Sequence, residues 1–127
     1  MTNNVTVVRY NDRLKATDAK ILELMERYGN VGGPGGAWSK GAVVFTRHLW
    51  NMLELARVIT LGALNRDESR GAHYKPEYPE RDDLNWLKTT RASYTPEGPK
   101  FTYEDVDLSY LKPRPRRYDV ETREVPA

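Results

Sequence analysis

Five ionisable side chains fall within eight residues directly after a strongly apolar segment, which is an unusual place for so much charge. They are Arg66, Asp67, Glu68, Arg70 and His73. The helix dipole favours a cation near a helix C-terminus, and both Arg70 and His73 stand in such a position. A carboxylate opposes the dipole there. Glu68 is therefore predicted to have an arginine partner nearby: Arg66, Arg70 or one from another segment.

His73 and Arg70 are the two side chains of this run that could take part in catalysis. An imidazole titrates near neutral pH and could transfer protons, and a guanidinium could orient a substrate carboxylate through two hydrogen bonds. No nucleophile or metal ligand accompanies His73 in the sequence, which favours a structural hydrogen bond. For Arg70, an ion pair with Glu68 or with another domain is favoured over substrate binding.

The segment before this run is predicted to be one long helix. Its apolar residues recur at three- and four-residue spacing, the pattern of a helix that faces a core. They are Phe45, Leu49, Met52, Leu53, Ala56, Ile59, Ala63 and Leu64. Four further apolar residues widen the stripe: Val44, Leu55, Val58 and Leu61. The helix is therefore expected to need partners around most of its girth, and Gly71 suits the left-handed conformation that ends helices.

A shorter helix is predicted to come first in the chain. Asn11 or Asp12 can cap its start, and Gly29 and Asn30 end it after Tyr28. This helix is expected to pack against the longer one.

The connection at residues 31–41 is rich in glycine, which invites comparison with a phosphate-binding loop. No strand leads into it, and neither Gly-Lys-Ser nor Gly-Lys-Thr ends it, so that interpretation is rejected. Trp38 is instead predicted to anchor the connection on the two helices.

The chain changes character after Tyr74. Pro76 and Pro79 cannot continue a helix, so an extended segment laid over a surface is expected. Residues 88–94 and 100–107 each carry Thr, Tyr or Phe in partial alternation, and the segment between them holds turn residues. A β-hairpin is predicted here. Because an isolated hairpin is marginal in water, it should rest on the helices or on a partner.

Composition excludes several classes of protein. The 127 residues make one domain at most, with a mean hydropathy of −0.75 and a net charge of +2 that gives no argument for nucleic acid. The basic residues of the tail, Lys112, Arg114, Arg116 and Arg117, lack the aromatic platform of single-strand binders. With two histidines and no cysteine, zinc has no plausible ligand set, and His48 is assigned to packing or surface. No apolar run is long enough to span a membrane, and no signal peptide opens the chain.

Longer motifs carry a family resemblance. They are Leu53-Glu54-Leu55-Ala56-Arg57, the run Glu68-Ser69-Arg70-Gly71-Ala72-His73 with Pro79-Glu80-Arg81-Asp82-Asp83 soon after it, and Asn85-Trp86-Leu87-Lys88-Thr89-Thr90. Together they resemble the C-terminal domain of succinate dehydrogenase and fumarate reductase flavoprotein subunits over nearly the whole chain. L-aspartate oxidases share the Glu-Ser-Arg-Gly core but resemble the tail less well.

The resemblance implies a fold that is mainly α. An antiparallel helical bundle is expected at residues 1–75, with a further family helix upstream, and an extended segment with a small hairpin at residues 76–127. The chain is accordingly expected to be an excised piece of a longer subunit. No strand followed by Gly-x-Gly-x-x-Gly occurs in the sequence, so nothing in it is predicted to cradle a dinucleotide.

The resemblance also implies a function for the whole subunit. Succinate dehydrogenase passes a hydride from succinate to FAD, and electrons leave through an iron-sulfur subunit to quinone. Because the family's FAD contacts and dicarboxylate-handling residues lie upstream, no catalytic, cofactor-binding or metal residue is assigned here, and the piece alone is expected to be inactive. The alternatives are fumarate reductase, L-aspartate oxidase and a free-standing helical binding module with a basic tail.

The expected partners follow from the same resemblance. They are the flavin-binding part of the same subunit, the iron-sulfur subunit and, indirectly, a membrane anchor subunit; nucleic acid is not expected. The subunit is expected to be peripheral on the cytoplasmic side of the membrane, with the piece itself soluble. We hypothesise a polar seam that fixes the orientation of the helices against the flavin domain, and its candidates are Arg66, Glu68, Ser69, Arg70, His73 and Tyr74.

Overall fold

Two helices, a single helical turn and a two-stranded hairpin follow one another along the chain. The structure is a computed structural model that describes residues 1–31 and 40–114. Its elements are α1 (Asn11–Tyr28), α2 (Lys40–Asn65), α3 (Asp83–Trp86), β1 (Lys88–Ser93) and β2 (Lys100–Asp105). The predicted mainly α fold with a small hairpin is confirmed. The predicted anchor Trp38 lies outside the described residues.

Helices α1 and α2 pack antiparallel. The rings of Tyr28 and Trp50 lie 5.0 Å apart between centroids, and Arg57 pairs with Asp18 at 3.2 Å. The later residue of α1, Tyr28, contacts the earlier residue of α2, Trp50, and the earlier residue Asp18 contacts the later residue Arg57. The two helices therefore run in opposite directions. Among the described residues, no helix is long and apolar enough to cross a membrane.

The core between these helices is small. Its buried apolar side chains are Val5, Leu14, Ile21, Leu53 and Ala63. Val5 joins Leu14 and Ala63 in one cluster, so the start of the chain contributes one side chain to the core. Thr17 and Thr60 are also buried, and the hydroxyl of each has a hydrogen-bond partner. The Thr17 hydroxyl donates to the carbonyl of Arg13, and the Thr60 hydroxyl donates to the carbonyl of Ala56.

The hairpin rests on the helical part, as the sequence predicts. Strands β1 and β2 are antiparallel, with Lys88 opposite Asp105 and Ser93 opposite Lys100. The Tyr103 ring meets Trp86 edge-on at 5.6 Å. Phe101 reaches α2, where a Cβ added to Gly62 would lie 3.5 Å from its ring.

The segment between the long helix and the hairpin is not extended throughout. It contains the single helical turn α3, which the sequence reading missed. The carboxylate of Asp82 accepts hydrogen bonds from the backbone and side-chain nitrogens of Asn85, so the turn has its own N-cap. The proline-based expectation of extended chain was therefore wrong at Asp83–Trp86.

Candidate functional site: an ion-pair cluster at the end of α2

Glu68 is the centre of the charged run and is completely buried. Its Oε1 accepts hydrogen bonds from Arg66 Nη1 at 2.5 Å and Arg70 Nε at 2.9 Å. Its Oε2 accepts from Arg70 Nη2 at 3.0 Å and from the amide of Asp82 at 3.1 Å. The predicted arginine partner is confirmed, because both Arg66 and Arg70 donate hydrogen bonds to Glu68. A carboxylate with four donors is fully satisfied.

The cluster continues outward through charges of alternating sign. Arg70 Nη2 also donates to Asp83 Oδ1 at 2.6 Å, and Arg81 Nη2 donates to Asp83 Oδ2 at 2.7 Å. Arg81 reaches the tail as well, because its Nη1 donates to the carbonyl of Arg114 at 3.0 Å. We call Arg66, Glu68, Arg70, Arg81 and Asp83 the ion-pair cluster.

Arg66 joins the long helix to the hairpin. Its guanidinium donates to the carbonyls of Trp86 and Lys88, each at 2.8 Å, and to Thr90 Oγ1 at 3.2 Å. It also lies 5.2 Å from the centre of the Trp86 ring, within cation–π range. One side chain thus connects the end of α2, the turn α3 and strand β1.

Both carboxylates of the cluster are held ionised. Burial alone raises the pKa of Glu68, but the hydrogen bonds from Arg70, the Asp82 amide and Arg66 together bring it below its ordinary value. The pKa of Asp83 is also lowered, first by its hydrogen bond from Arg70 and then by Arg81. The cluster therefore contains no carboxyl poised to exchange a proton near neutral pH.

His73 bridges the start of the chain and the end of α2. Its Nε2 lies 2.9 Å from the carbonyl of Arg66, and its Nδ1 lies 2.5 Å from Arg9 Nη1. A carbonyl only accepts and a guanidinium only donates, so the ring is neutral with its proton on Nε2. Burial is the main cause that lowers the pKa of His73, and the charges of Arg9, Lys75 and Arg66 lower it further. This arrangement favours the structural role over proton transfer.

The sequence predicted that the long helix could end at Gly71, but α2 ends at Asn65. Gly71 takes its left-handed φ of +58° in a turn between Arg70 and His73, and Ser69 and Tyr74 flank that turn. Tyr74 pairs through its backbone with Val7 and Arg9. The Ser69 hydroxyl donates to the carbonyl of Tyr78 at 2.7 Å and accepts from the amide of Lys75. The structure thus brings Arg66, Glu68 and Arg70 together, whereas Ser69, His73 and Tyr74 stabilise the surrounding chain.

Lys75 is a buried charged residue that the sequence did not predict. It is fully buried, and its Nζ donates to Leu64 O at 3.0 Å and to Asp67 Oδ1 at 2.9 Å. No periodicity or motif marks a buried lysine between turn residues. Arg81 and Asp83 were visible as part of a charge run, but their pairing depends on the fold of α3.

The contacts of this site are structural: its side chains connect the end of α2 to α3 and to the hairpin. The Glu68 carboxylate is saturated by other side chains and by the backbone, and the described residues include no group of three His, Cys, Asp or Glu side chains that could hold a metal ion. The N-terminus of α1, a natural anion site, is already occupied by the carboxylate of Glu77.

Comparison with known proteins agrees with this architecture. The family model described as "Fumarate reductase flavoprotein C-term" matches residues 1–118. The chain belongs to this family of flavoprotein C-terminal domains, as its motifs predicted.

Among curated relatives, the succinate dehydrogenase flavoprotein subunit of Bacillus subtilis is 59% identical over 121 residues, which cover 93% of this chain and 21% of that subunit. The fumarate reductase flavoprotein subunit of Haemophilus influenzae is 39% identical over 109 residues, or 84% of this chain and 18% of the relative. The chain thus spans about a fifth of the length of these relatives.

Among solved structures, the FrdA chain of E. coli quinol fumarate reductase matches with a TM-score of 0.79 and 31% identity, over 86% of this chain and 19% of that one. Mycobacterium smegmatis Sdh1 matches with a TM-score of 0.64 and 26% identity, over 84% and 18%. The arrangement of helices and hairpin is therefore that of a flavoprotein C-terminal domain.

Proposed function

We propose that this chain is the C-terminal structural domain of a succinate dehydrogenase flavoprotein subunit. In that role it supports the FAD-dependent oxidation of succinate to fumarate without supplying a catalytic residue. The saturation of Glu68 carries the proposal, because its four hydrogen bonds commit the most distinctive polar group of the chain to internal structure. The higher identity to a succinate dehydrogenase subunit than to a fumarate reductase subunit supports the type.

FAD does not fit the residues of this chain. A dinucleotide needs a glycine-rich turn between a strand and a helix, and the sequence has none. The N-terminus of α1 carries the Glu77 carboxylate, which would repel a pyrophosphate. The cofactor is therefore assigned to the flavin-binding part of the subunit. Electrons would pass from there to an iron-sulfur subunit and on to quinone, with the flavoprotein peripheral on the cytoplasmic side of a membrane anchor.

The polar seam has a defined part in this proposal. Arg66, Glu68 and Arg70 fix the end of α2 against the hairpin, so a partner that touches either element meets a rigid unit. Arg70 keeps 28% of its side chain exposed and Tyr74 is 41% exposed. Tyr74 is the exposed member of the seam, and Arg70 is more exposed than Arg66 and Glu68, so these two offer surface for contact with a neighbouring domain.

A reductase is the second candidate, since several relatives are fumarate reductase subunits. The direction of catalysis depends on the cofactor and its electron partner, which lie outside these residues. An L-aspartate oxidase is the third candidate. A stand-alone binding module would instead need a salt-dependent affinity for polyanions, and a salt titration tests for it.

The test compares residues 1–127 with the full-length flavoprotein subunit. The shorter chain is expected to be colourless and inactive with succinate, and the full-length subunit yellow and active. A yellow, active preparation of residues 1–127 would contradict the proposal.

Arg70→Ala in the full subunit separates a structural from a catalytic role. The substitution should lower stability or assembly, while Arg91→Ala, which removes an exposed cation on β1, should not. Intact assembly with abolished turnover would assign Arg70 to catalysis instead.

A further inference from the structure

Residues 6–9, just before α1, are attached by hydrogen bonds to the chain that follows α2. The Arg9 amide donates to the carbonyl of Tyr74 at 2.9 Å, and the Tyr74 amide donates to the carbonyl of Val7 at 3.0 Å. The third attachment is the contact of 2.5 Å between Arg9 Nη1 and His73 Nδ1. We call residues 6–9 the N-terminal segment.

The N-terminal segment buries little apolar surface and lies between two fixed points. Val7 and Val8 are 53% and 45% exposed. On one side of the segment, Val5 is buried in the core, and on the other the amide of Asn11 donates to the carboxylate of Glu77. A segment with so few buried contacts can open while the rest of the domain stays folded.

The His73 ring supports this attachment only in its neutral form. Its Nε2 lies 2.9 Å from the carbonyl of Arg66, so Nε2 carries the proton and Nδ1 is left to accept from Arg9. A second proton would occupy the lone pair of Nδ1. Arg9 would then lose its acceptor, and two positive charges would be in contact.

The charged side chains that act on the ring are all cations. They are Arg9 from the N-terminal segment, Arg66 from the end of α2 and Lys75 from the same turn region as His73. A protonated ring would be a fourth positive charge in a partly buried place, where water screens charges poorly.

Arg9 is the cation of this group that can leave. Lys75 and Arg66 are each paired with a carboxylate, that of Asp67 and that of Glu68. Within the described residues, the Arg9 guanidinium has no carboxylate: it donates to a carbonyl of its own segment and to the ring. Repulsion at the ring would therefore displace Arg9 and the segment that carries it.

We propose that protonation of His73 releases the N-terminal segment from the turn at Tyr74 while the two helices stay folded. The contact between Arg9 and His73 is thus an acid-sensitive attachment built into the fold. This property goes beyond the proposed function and does not depend on it.

Hydrogen exchange in the full-length, FAD-containing subunit tests the proposal, with mass spectrometry resolving single amides. The protection factors of the Arg9 and Tyr74 amides should fall roughly tenfold between about pH 7.5 and about pH 5.5, because the open segment lets His73 take up a proton that the closed segment resists. The Tyr78 amide, which bonds to Lys75 in the neighbouring turn, should keep its protection. Unchanged protection at Arg9 and Tyr74 would overturn the proposal.

Low concentrations of urea separate local release from unfolding of the whole domain. A local opening exposes little surface, so exchange of the Arg9 amide should hardly respond to urea below the unfolding transition. Exchange of the amide of Ala63, which is buried in the core, should quicken with urea. If both amides exchange at one rate at every pH and urea concentration, the domain opens as a unit and the proposal is wrong.

Two variants identify the groups involved. His73→Gln keeps a donor and an acceptor but does not titrate, so it should abolish the tenfold fall in protection. Arg9→Gln removes the cation that protonation displaces, so the fall should become smaller. Arg13→Gln is its matched control, because Arg13 lies over the Tyr10 ring, and it should keep the full fall. A full fall in either His73→Gln or Arg9→Gln would contradict the proposal.

Discussion

Lys75 and Glu77, which are two residues apart, each contact the end of a different helix. Lys75 lies at the C-terminal end of α2, and Glu77 lies at the N-terminal end of the antiparallel helix α1. Lys75 Nζ donates to the carbonyl of Leu64 in the last turn of α2. The carboxylate of Glu77 accepts from the amide of Asn11 at the start of α1, at 3.0 and 3.1 Å. Each charge has the sign that its helix end attracts. A short turn, closed by a hydrogen bond from the Tyr78 amide to the Lys75 carbonyl, thus caps both helices where they lie side by side.

Replacement of Lys75 tests this capping. Lys75→Met keeps the length of the side chain but leaves Leu64 O and Asp67 without their donor, and the free energy of unfolding should fall by about 1–3 kcal/mol. Urea unfolding measures the change. Lys20→Met is the control, because Lys20 pairs with Glu23 on the surface, where solvent screens the pair, and its loss should change stability little. Equal losses would show that burial of Lys75 adds nothing.

Glu68→Gln should be far more costly than loss of an exposed ion pair. The amide removes the negative charge that Arg66 and Arg70 share, and loss of one partner from a buried pair costs about 3–5 kcal/mol. Glu104→Gln is the matched control, since Glu104 pairs with Arg91 in solvent and should cost about 0–1 kcal/mol. Thermal unfolding of both variants checks the difference, and similar midpoints would refute it.

Stability should decline in two stages as the pH falls, first through His73 and then through carboxylates such as Glu68 and Asp83. His73 has a lowered pKa, so below 6.5 the unfolded chain takes up a proton that the folded chain resists, and stability is lost. Glu68 and Asp83 also have lowered pKa values, so their contributions are complete above the ordinary values of 4.5 and 3.8 and are lost as the pH falls below them. Urea midpoints measured from pH 8 down to about pH 3 should show both declines.

His73→Gln identifies the upper step. The variant should lose the decline that begins near pH 6.5 and keep the one that begins near 4.5. His48→Gln, on the exposed side of α2, should keep both. A persistent upper step in His73→Gln would assign that step to another group.

Gly98 should be intolerant of any side chain. Its φ of +130° suits glycine alone, and a Cβ there would lie 2.6 Å from Arg57 Nη1. Arg57 cannot swing away freely, because it pairs with Asp18 in a largely buried site. Gly98→Ala should cost about 2–3 kcal/mol, whereas Gly71→Ala, with φ +58° and open space, should cost about 1 kcal/mol.

A double-mutant cycle separates the clash from the backbone strain. In an Arg57→Ala background, Gly98→Ala should cost less than in the native protein, because only the strain remains. An unchanged cost would mean that the contact with Arg57 is irrelevant.

The amino-acid sequence by itself determined the local elements and the family. The three- and four-residue spacing of apolar side chains predicted α2, the Gly29-Asn30 pair marked the end of α1, and turn residues between two Thr/Tyr segments predicted the hairpin. The charge on Glu68 after an apolar helix also required an arginine, because an unpaired buried carboxylate is too costly. Each of these inferences depends on residues that are close together in the sequence, so the sequence alone can support them.

The tertiary structure alone decided which groups meet across the chain. It paired His73 with Arg9, buried Lys75 against the end of α2, and added the turn α3 that brings Asp83 to Arg70. It also divided one apolar helix into a covered face and an exposed stripe. Such contacts join residues far apart in sequence, and their free energies depend on distance and burial, which no local pattern encodes.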